Sequence, residues 1–206
     1  MRIGVIGAGN VGRSVAGLLA RAGHEVRFSS RDPGKDGPDS LPGPVGTVAE
    51  AAAFGEVVLC AAPYGIWPAL AVELGPHVGG KVVIDAANPY PGRDGAFAQA
   101  AIDTGQGAGV PVAALLSGAR LVRAFNSVPW PGMVAEAGRP PGEQIAIPLA
   151  GDDPAARDTV ARLIAEAGFE PVDAGPLVQA RAFDPGAPAY NHPMSAADMR
   201  RTLGLE

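Results

Sequence analysis

Three glycines near the start of the sequence have the spacing of a turn that binds phosphate. Gly7, Gly9 and Gly12 form a G-x-G-x-x-G pattern directly after the β-type run 3–6. In such a turn the first glycine makes the tight bend, the second lets the backbone approach a pyrophosphate, and the third lets helix and strand pack closely. The helix that follows presents unpaired N–H groups and a partial positive charge to the phosphates. The pattern therefore predicts a dinucleotide site formed by Gly7, Gly9, Asn10, Val11 and Gly12.

The charges after the second predicted strand, 25–29, indicate which dinucleotide binds. An NAD-binding protein usually carries an acidic residue there, about 20 residues after the glycines, to hold the ribose 2′-hydroxyl. Here the strand runs into Ser30 and Arg31, with Arg31 19 residues after Gly12 and Lys35 a little further on. A guanidinium group forms bidentate, charge-assisted hydrogen bonds with phosphate. We therefore predict NADP(H) rather than NAD(H), the alternative being that Arg31 and Lys35 are solvated loop charges.

Loops that follow three later strands supply the other candidate site residues. Ala62 and Pro63 come after strand 56–61, and Asn88 and Asn126 come after strands 81–85 and 121–125. Ligands of open α/β sheets bind outside the carboxyl ends of the strands. We expect the two asparagines either to orient the nicotinamide or the acceptor, or to bond neighbouring backbone in turns, as asparagine often does. Four apolar side chains are expected either to line a slot for a flat ring or to pack in the core. They are Trp67, Phe97, Trp130 and Met133.

The residue types identify no catalytic acid–base pair, no activated nucleophile and no cluster of metal ligands. Cys60 lies in an apolar strand and is expected to be a small buried hydrophobe, and His192 is a weak candidate for the substrate site. Direct hydride transfer between two ring carriers fits this pattern, because it depends on alignment and the exclusion of water. A ketone or imine reductase fits less well, because it must also supply a proton.

Alternating strands and helices predict an α/β fold of the Rossmann type: a doubly wound, mainly parallel sheet with a small C-terminal extension. We place the NADP-binding domain at 1–175 and the extension at 176–206, where it contributes to the substrate cleft or to a dimer contact. Capping signals are predicted at Thr47, Asp153 and Ser195. Pro148 predicts an edge position or a bulge for its strand, and residues 91–110 are ambiguous.

Composition excludes several classes of partner. The 206 residues carry a net charge of −5 and contain no large Lys/Arg cluster, so we expect neither nucleic acid nor an anionic membrane surface as a partner. No apolar run approaches the roughly 18 residues of a membrane span, and no leader segment is recognised. With its single cysteine the chain forms no internal disulfide, and we expect a cytoplasmic protein.

Segments spread over most of the chain together resemble the NADPH-dependent coenzyme F420 reductase family, in its bacterial branch. These segments are 7–12, 23–26, 30–35, 61–64, 84–89, 122–128, 150–153 and 168–177. The resemblance implies a homodimer that moves hydride between NADPH and a second small-molecule carrier, with coenzyme F420 as co-substrate. It also implies that Ser30, Arg31 and Lys35 hold the 2′-phosphate and that Ala62 and Pro63 lie along the cofactor. Arg123 departs from the family pattern, since a lysine is common at that position.

Two other functions stay open at the level of the sequence. One is an NADPH-dependent reductase of another acceptor, such as a flavin, a metal chelate or an imine. The other is a non-catalytic sensor that binds NADPH without turnover.

Overall fold

The computed structural model describes residues 1–30 and 41–205, and within them the chain forms one eight-stranded sheet flanked by helices. The strand order is β3-β2-β1-β4-β5-β6-β7-β8, and all neighbours are parallel except β6 and β7. The predicted Rossmann-type, mainly parallel α/β fold is confirmed. The strands are β1 (Arg2–Ile6), β2 (Glu25–Ser29), β3 (Val45–Gly46), β4 (Val57–Cys60), β5 (Val82–Asp85), β6 (Arg120–Ala124), β7 (Ala146–Gly151) and β8 (Glu170–Asp173).

Helices follow most of the strands, and three of them begin at a side-chain cap that the sequence predicts. Thr47 and Glu50 form the predicted capping box, and the side chains of Asp153 and Ser195 accept hydrogen bonds from the first turns of their helices. The helices are α1 (Asn10–Arg21), α2 (Val48–Phe54), α3 (Trp67–Val78), α4 (Pro91–Asp103), α5 (Gly109–Leu115), α6 (Trp130–Glu136), α7 (Pro154–Glu166) and α8 (Ala196–Leu203), with 3₁₀ helices at Tyr64–Ile66 and Leu177–Phe183.

The sheet is buried on both faces, and strand β4 shows how its side chains divide. Val57 and Leu59 pack into the core that contains α1 and α7, whereas Val58 and Cys60 pack into the core that contains α3 and α5. Successive residues of a strand point to opposite faces, so a strand covered on both sides is apolar throughout. This burial keeps the strands rigid and leaves their carboxyl ends to support a site.

The expected edge position of Pro148 is wrong, because β7 lies between β6 and β8. Proline has no N–H group to donate to a neighbouring strand. The antiparallel pairing of β6 with β7 ends at Ala124 and Leu149, so Pro148 lies just beyond the last pair. The inner strand therefore tolerates this proline, because no hydrogen bond to β6 is required from the nitrogen of residue 148.

The structure resolves one stretch that the sequence left ambiguous and adds one helix that the sequence did not predict. The ambiguous stretch 91–110 contains α4, which is kinked at Gly95, and the first residues of α5. Helix α6 was not expected, because its seven residues begin with Trp-Pro-Gly and carry little helical periodicity. Residues 177–203 pack on β7 and β8 around a third core that includes Phe183 and Met199. The division of the chain at residue 175 stays a prediction.

Glycines at two positions of α1 differ in how much space they have, which gives a matched test of packing. A Cβ on Gly12 would lie 2.1 Å from the carbonyl oxygen of Gly7, whereas one on Gly17 would meet only a guanidinium nitrogen of Arg21 at 3.9 Å. We expect Gly12→Ala to lower the free energy of unfolding by about 1–3 kcal/mol. Gly17→Ala should raise it by roughly 0.5–1 kcal/mol, because alanine favours a helix interior. Urea denaturation measures both, and equal effects would contradict the close helix–strand contact.

Candidate functional site

The glycine turn before α1 leaves its backbone open toward a cleft. Gly7 has a φ of +103°, and a Cβ there would lie 2.8 Å from the carbonyl oxygen of Ala61, so glycine is required for the bend. A Cβ on Gly9 would meet no atom within 4 Å, because this position faces open space. Unpaired N–H groups at the start of the 12-residue helix α1 adjoin that space. The turn therefore has the shape and polarity that a pyrophosphate needs.

The cleft has a volume of about 1490 Å³ and lies across the carboxyl ends of β1, β4, β5 and β6. Of the predicted residues, it is lined by Gly7, Gly9, Asn10, Val11, Ser30, Ala62, Pro63, Asn88 and Asn126. Gly12 is buried behind the turn and does not line the cleft. Arg31 and Lys35 lie outside the described residues. The structure thus brings together nine of the twelve predicted contacts along one continuous surface.

Asn88 and Asn126 bind each other on the floor of the cleft. Asn88 donates from Nδ2 to the backbone oxygen of Asn126 at 2.8 Å, and Asn126 donates from Nδ2 to Oδ1 of Asn88 at 3.2 Å and to the backbone oxygen of Phe183 at 3.1 Å. Asn126 is 4% exposed, and its Oδ1 has no hydrogen-bond partner among the described residues. A buried acceptor without a partner is costly. The arrangement therefore suits a ligand that donates a hydrogen bond, such as a carboxamide.

Beneath these asparagines, the fully buried guanidinium of Arg123 is held by two carboxylates. Its Nη1 lies 2.7 Å from Oδ2 of Asp85, at the end of β5, and its Nε lies 2.6 Å from Oδ1 of Asp184. Nη1 also donates to the backbone oxygen of Ala87, and Nη2 donates to Oδ1 of Asn88 at 3.0 Å. Burial raises the pKa of Asp85, an effect that the nearby Arg123 charge and the Ala87 N–H group oppose. Arg123 therefore fixes the Asn88 side chain from below.

Two tyrosines that are far apart in sequence meet at the mouth of this polar floor. The hydroxyl groups of Tyr90 and Tyr190 are hydrogen-bonded to each other, and Nδ2 of Asn88 lies 3.4 Å from the Tyr190 hydroxyl. Both tyrosines line the cleft, and the Arg93 guanidinium lies 4.9 Å from the centre of the Tyr90 ring. Sequence reasoning missed this pair. Tyr90 in a strand-end loop was the available signal, but nothing local placed Tyr190 beside it.

The remaining sequence candidates are placed as follows. Trp67 and Met133 are core residues, and Phe97 stacks on Tyr64 with ring centroids 5.3 Å apart. Trp130 is 47% exposed and lines the cleft. His192 is exposed and does not line it.

Cys60 is fully buried, as expected, and burial raises the pKa of its thiol. Within residues 1–30 and 41–205, no group of three His, Cys, Asp or Glu side chains could hold a metal ion. None of the helices described combines the length and apolar character of a membrane span.

The buried Arg123 network gives a prediction about stability and its pH dependence. We expect Arg123→Met to lower the free energy of unfolding by about 3–5 kcal/mol at neutral pH, because Asp85 and Asp184 lose their cation. The buried Asp85 carboxyl, whose pKa burial already raises, then has a folded-state pKa further above the unfolded value, so the folded variant binds more protons and the deficit shrinks as the pH falls. Urea denaturation at pH 5 and pH 8 measures this trend.

Arg120→Met is the matched control on the same strand. Arg120 is partly exposed and lies 3.7 Å from Asp153, so its loss should cost less than about 1 kcal/mol. The buried ion network would be contradicted if Arg123→Met lowered the free energy of unfolding no more than Arg120→Met does. It would also be contradicted if the loss in Arg123→Met grew as the pH falls.

Comparison with known proteins agrees with this geometry. Residues 2–89 match the family model described as NADP oxidoreductase, coenzyme F420-dependent. A crystal structure of a hypothetical protein from Sinorhizobium meliloti is 26% identical with a TM-score of 0.80 and covers 95% of both chains. The structure of a proposed F420-dependent NADP reductase from Arthrobacter is 27% identical with a TM-score of 0.73 and covers 87% of both chains.

A longer relative extends the comparison to another reductase. The rat metalloreductase STEAP3 is 28% identical over 182 residues, which are 87% of this chain and 35% of the rat protein. The chain therefore spans about a third of the length of this curated relative. The resemblance inferred from the sequence is confirmed over residues 2–89, which match the model of the coenzyme F420-dependent family of NADP oxidoreductases.

Proposed function

We propose that the chain is an NADP(H)-dependent oxidoreductase that transfers hydride between NADPH and a second small-molecule carrier. The observation that carries this proposal is the single cleft that begins at the glycine turn and ends at the polar floor of Asn88 and Asn126. Its volume of about 1490 Å³ has room for an extended dinucleotide, with the pyrophosphate at the start of α1. The family match to NADP oxidoreductases supports the same assignment.

Selectivity for the 2′-phosphate is proposed to come from the end of β2. Ser30 lines the cleft there, and the sequence continues with Arg31 and reaches Lys35 four residues later. A serine hydroxyl and two cations complement a phosphate, whereas the acidic residue of an NAD site would repel it. These residues would hold NADP(H) in preference to NAD(H).

The other end of the cleft is proposed to position the nicotinamide and to exclude water. The unpartnered Oδ1 of Asn126 would accept a hydrogen bond from the carboxamide, while Asn88 is held rigid by Arg123. Trp130 and Pro129 line the adjacent wall and would keep water from the reacting ring. The reduced nicotinamide supplies the hydride when it is bound.

By resemblance to the family, we propose coenzyme F420 as the acceptor and a homodimer in the cytoplasm as the working form. We also propose that 1–175 form the NADP-binding domain and that 176–206 complete the acceptor end of the cleft. Tyr190 and Asn191, which line the cleft, support that role for the extension. A metal chelate is a second candidate acceptor, because the rat metalloreductase matches over most of this chain.

Substitution of Arg31 tests the proposed nucleotide specificity. Arg31→Ala should weaken NADPH binding roughly 10- to 100-fold, because a charge-assisted contact contributes about 1.5–3 kcal/mol. NADH binding should change little. Calorimetric titration measures both dissociation constants, with Arg21→Ala at the opposite end of α1 as a control for the loss of one positive charge. Equal weakening of the two nucleotides would refute the 2′-phosphate assignment.

An acceptor screen tests the proposed activity. Purified protein with NADPH is mixed separately with oxidised F420, FMN, a ferric chelate and a cyclic imine, and the NADPH absorbance is followed. We expect consumption with F420 in preference to the other acceptors. Consumption with the ferric chelate alone would favour the second candidate. Tight NADPH binding with no turnover of any carrier would instead indicate a sensor.

A further inference from the structure

We propose that Tyr190 and Tyr90 form a proton relay that serves the hydride acceptor. The inference rests on the proposed oxidoreductase function and adds the chemical class of the acceptor. That acceptor is a conjugated ring or a C=N compound with a nitrogen or oxygen atom that becomes basic when hydride arrives. A ferric chelate, which takes electrons without needing a proton at a fixed atom, does not use such a relay.

The relay has an inner and an outer member. Tyr190 is partly buried beside the asparagine floor, whereas Tyr90 is 39% exposed, and both line the cleft. The hydrogen bond between their hydroxyl groups connects the interior of the cleft to its solvent-accessible mouth. A proton can therefore pass from water to Tyr90 and from Tyr90 to Tyr190.

Either hydroxyl group of the tyrosine pair can be the donor, and one of the two arrangements leaves the proton of Tyr190 available to the cleft. Nδ2 of Asn88 donates to the Tyr190 oxygen at 3.4 Å. The orientation of the Asn88 amide is fixed, because its Oδ1 accepts from Arg123 and Asn126. When Tyr90 donates to the same oxygen, Tyr190 has its own O–H left to donate, and this is the arrangement a proton donor requires.

Two guanidinium groups flank the pair and would stabilise a transient phenolate. The Arg93 guanidinium lies over the ring of Tyr90, with Cζ 4.9 Å from the ring centre. The Arg123 guanidinium acts on Tyr190 through Asn88, whose amide it polarises.

The inner tyrosine, Tyr190, is neutral at rest. Burial raises the pKa of Tyr190 well above that of an ordinary tyrosine. Tyr190 therefore keeps its proton through the neutral range and is available as a donor.

The proton and electrons balance as follows. Hydride leaves the reduced nicotinamide with both electrons of its C–H bond and forms a C–H bond at the acceptor, so the nicotinamide is oxidised and the acceptor is reduced. The π electron pair of the acceptor moves to its conjugated nitrogen or oxygen, which takes the hydroxyl proton of Tyr190. Tyr190 takes the proton of Tyr90, and solvent restores Tyr90.

A test without turnover examines the pair itself. The chain has three tyrosines, so labelling the Cζ carbons gives three NMR signals that single Phe variants assign. In the protein without nucleotide, Tyr190→Phe should shift the Tyr90 signal and leave the Tyr64 signal in place. Tyr64 donates to the backbone oxygen of Ala108 and does not line the cleft. An unchanged Tyr90 signal would show that the hydroxyl pair does not exist.

A test with turnover examines the role of the relay. Tyr190→Phe should bind NADPH as the unaltered protein does, but should reduce a deazaflavin or a cyclic imine at least about 100-fold more slowly. Tyr90→Phe should be less impaired, because water can reach Tyr190, and any reduction of a ferric chelate should be unaffected in both. Tyr64→Phe, which also loses one hydroxyl group, is the matched control and should keep full activity.

The outcomes separate this inference from the proposed function. If the unaltered protein does not bind NADPH, the oxidoreductase assignment fails. If it binds NADPH and reduces a deazaflavin or an imine, but Tyr190→Phe does so at an equal rate, the relay alone is overturned. Turnover of a ferric chelate with no turnover of either proton-requiring acceptor would also overturn the relay.

Discussion

The buried Arg123 guanidinium joins β6 to two segments that lie far from it in the sequence. It binds Asp85 at the end of β5, the Asn88 loop beyond it, and Asp184 in the C-terminal region. Removing a cation from two buried carboxylates is costly, so these segments are held in one arrangement. The C-terminal region is thereby attached to the carboxyl edge of the sheet, six residues before Tyr190 enters the cleft.

The two ends of the cleft are built by different physical means. At the α1 end, small residues and an uncapped helix terminus create space and positive potential for phosphates. At the opposite end, asparagine and tyrosine side chains converge over a buried ion network. The space for a ligand is therefore limited, and the hydrogen-bonding groups point in fixed directions. This contrast suits a ligand with a charged middle and a planar, reactive end. Under the proposed function, binding and chemistry belong to separate parts of one surface.

Local sequence signals account for much of the fold, and long-range contacts account for what was not foreseen. Local patterns predict the glycine turn, the caps at Thr47 and Asp153, and the apolar strands, because each of these features depends on residues that are neighbours in the sequence. The place of Pro148 in an inner strand depends on where β6 ends. The meeting of Tyr90 and Tyr190 joins residues a hundred positions apart, which no periodicity of the sequence connects.

The central claim is that one dinucleotide lies along this cleft in a defined direction, from the glycine turn to the asparagine floor. A crystal structure of the chain with NADP⁺ tests it most directly. The account predicts that the pyrophosphate accepts hydrogen bonds from the backbone at the start of α1 and that the carboxamide of the nicotinamide reaches Oδ1 of Asn126. A nucleotide bound in the reverse direction, or outside the cleft, would contradict it.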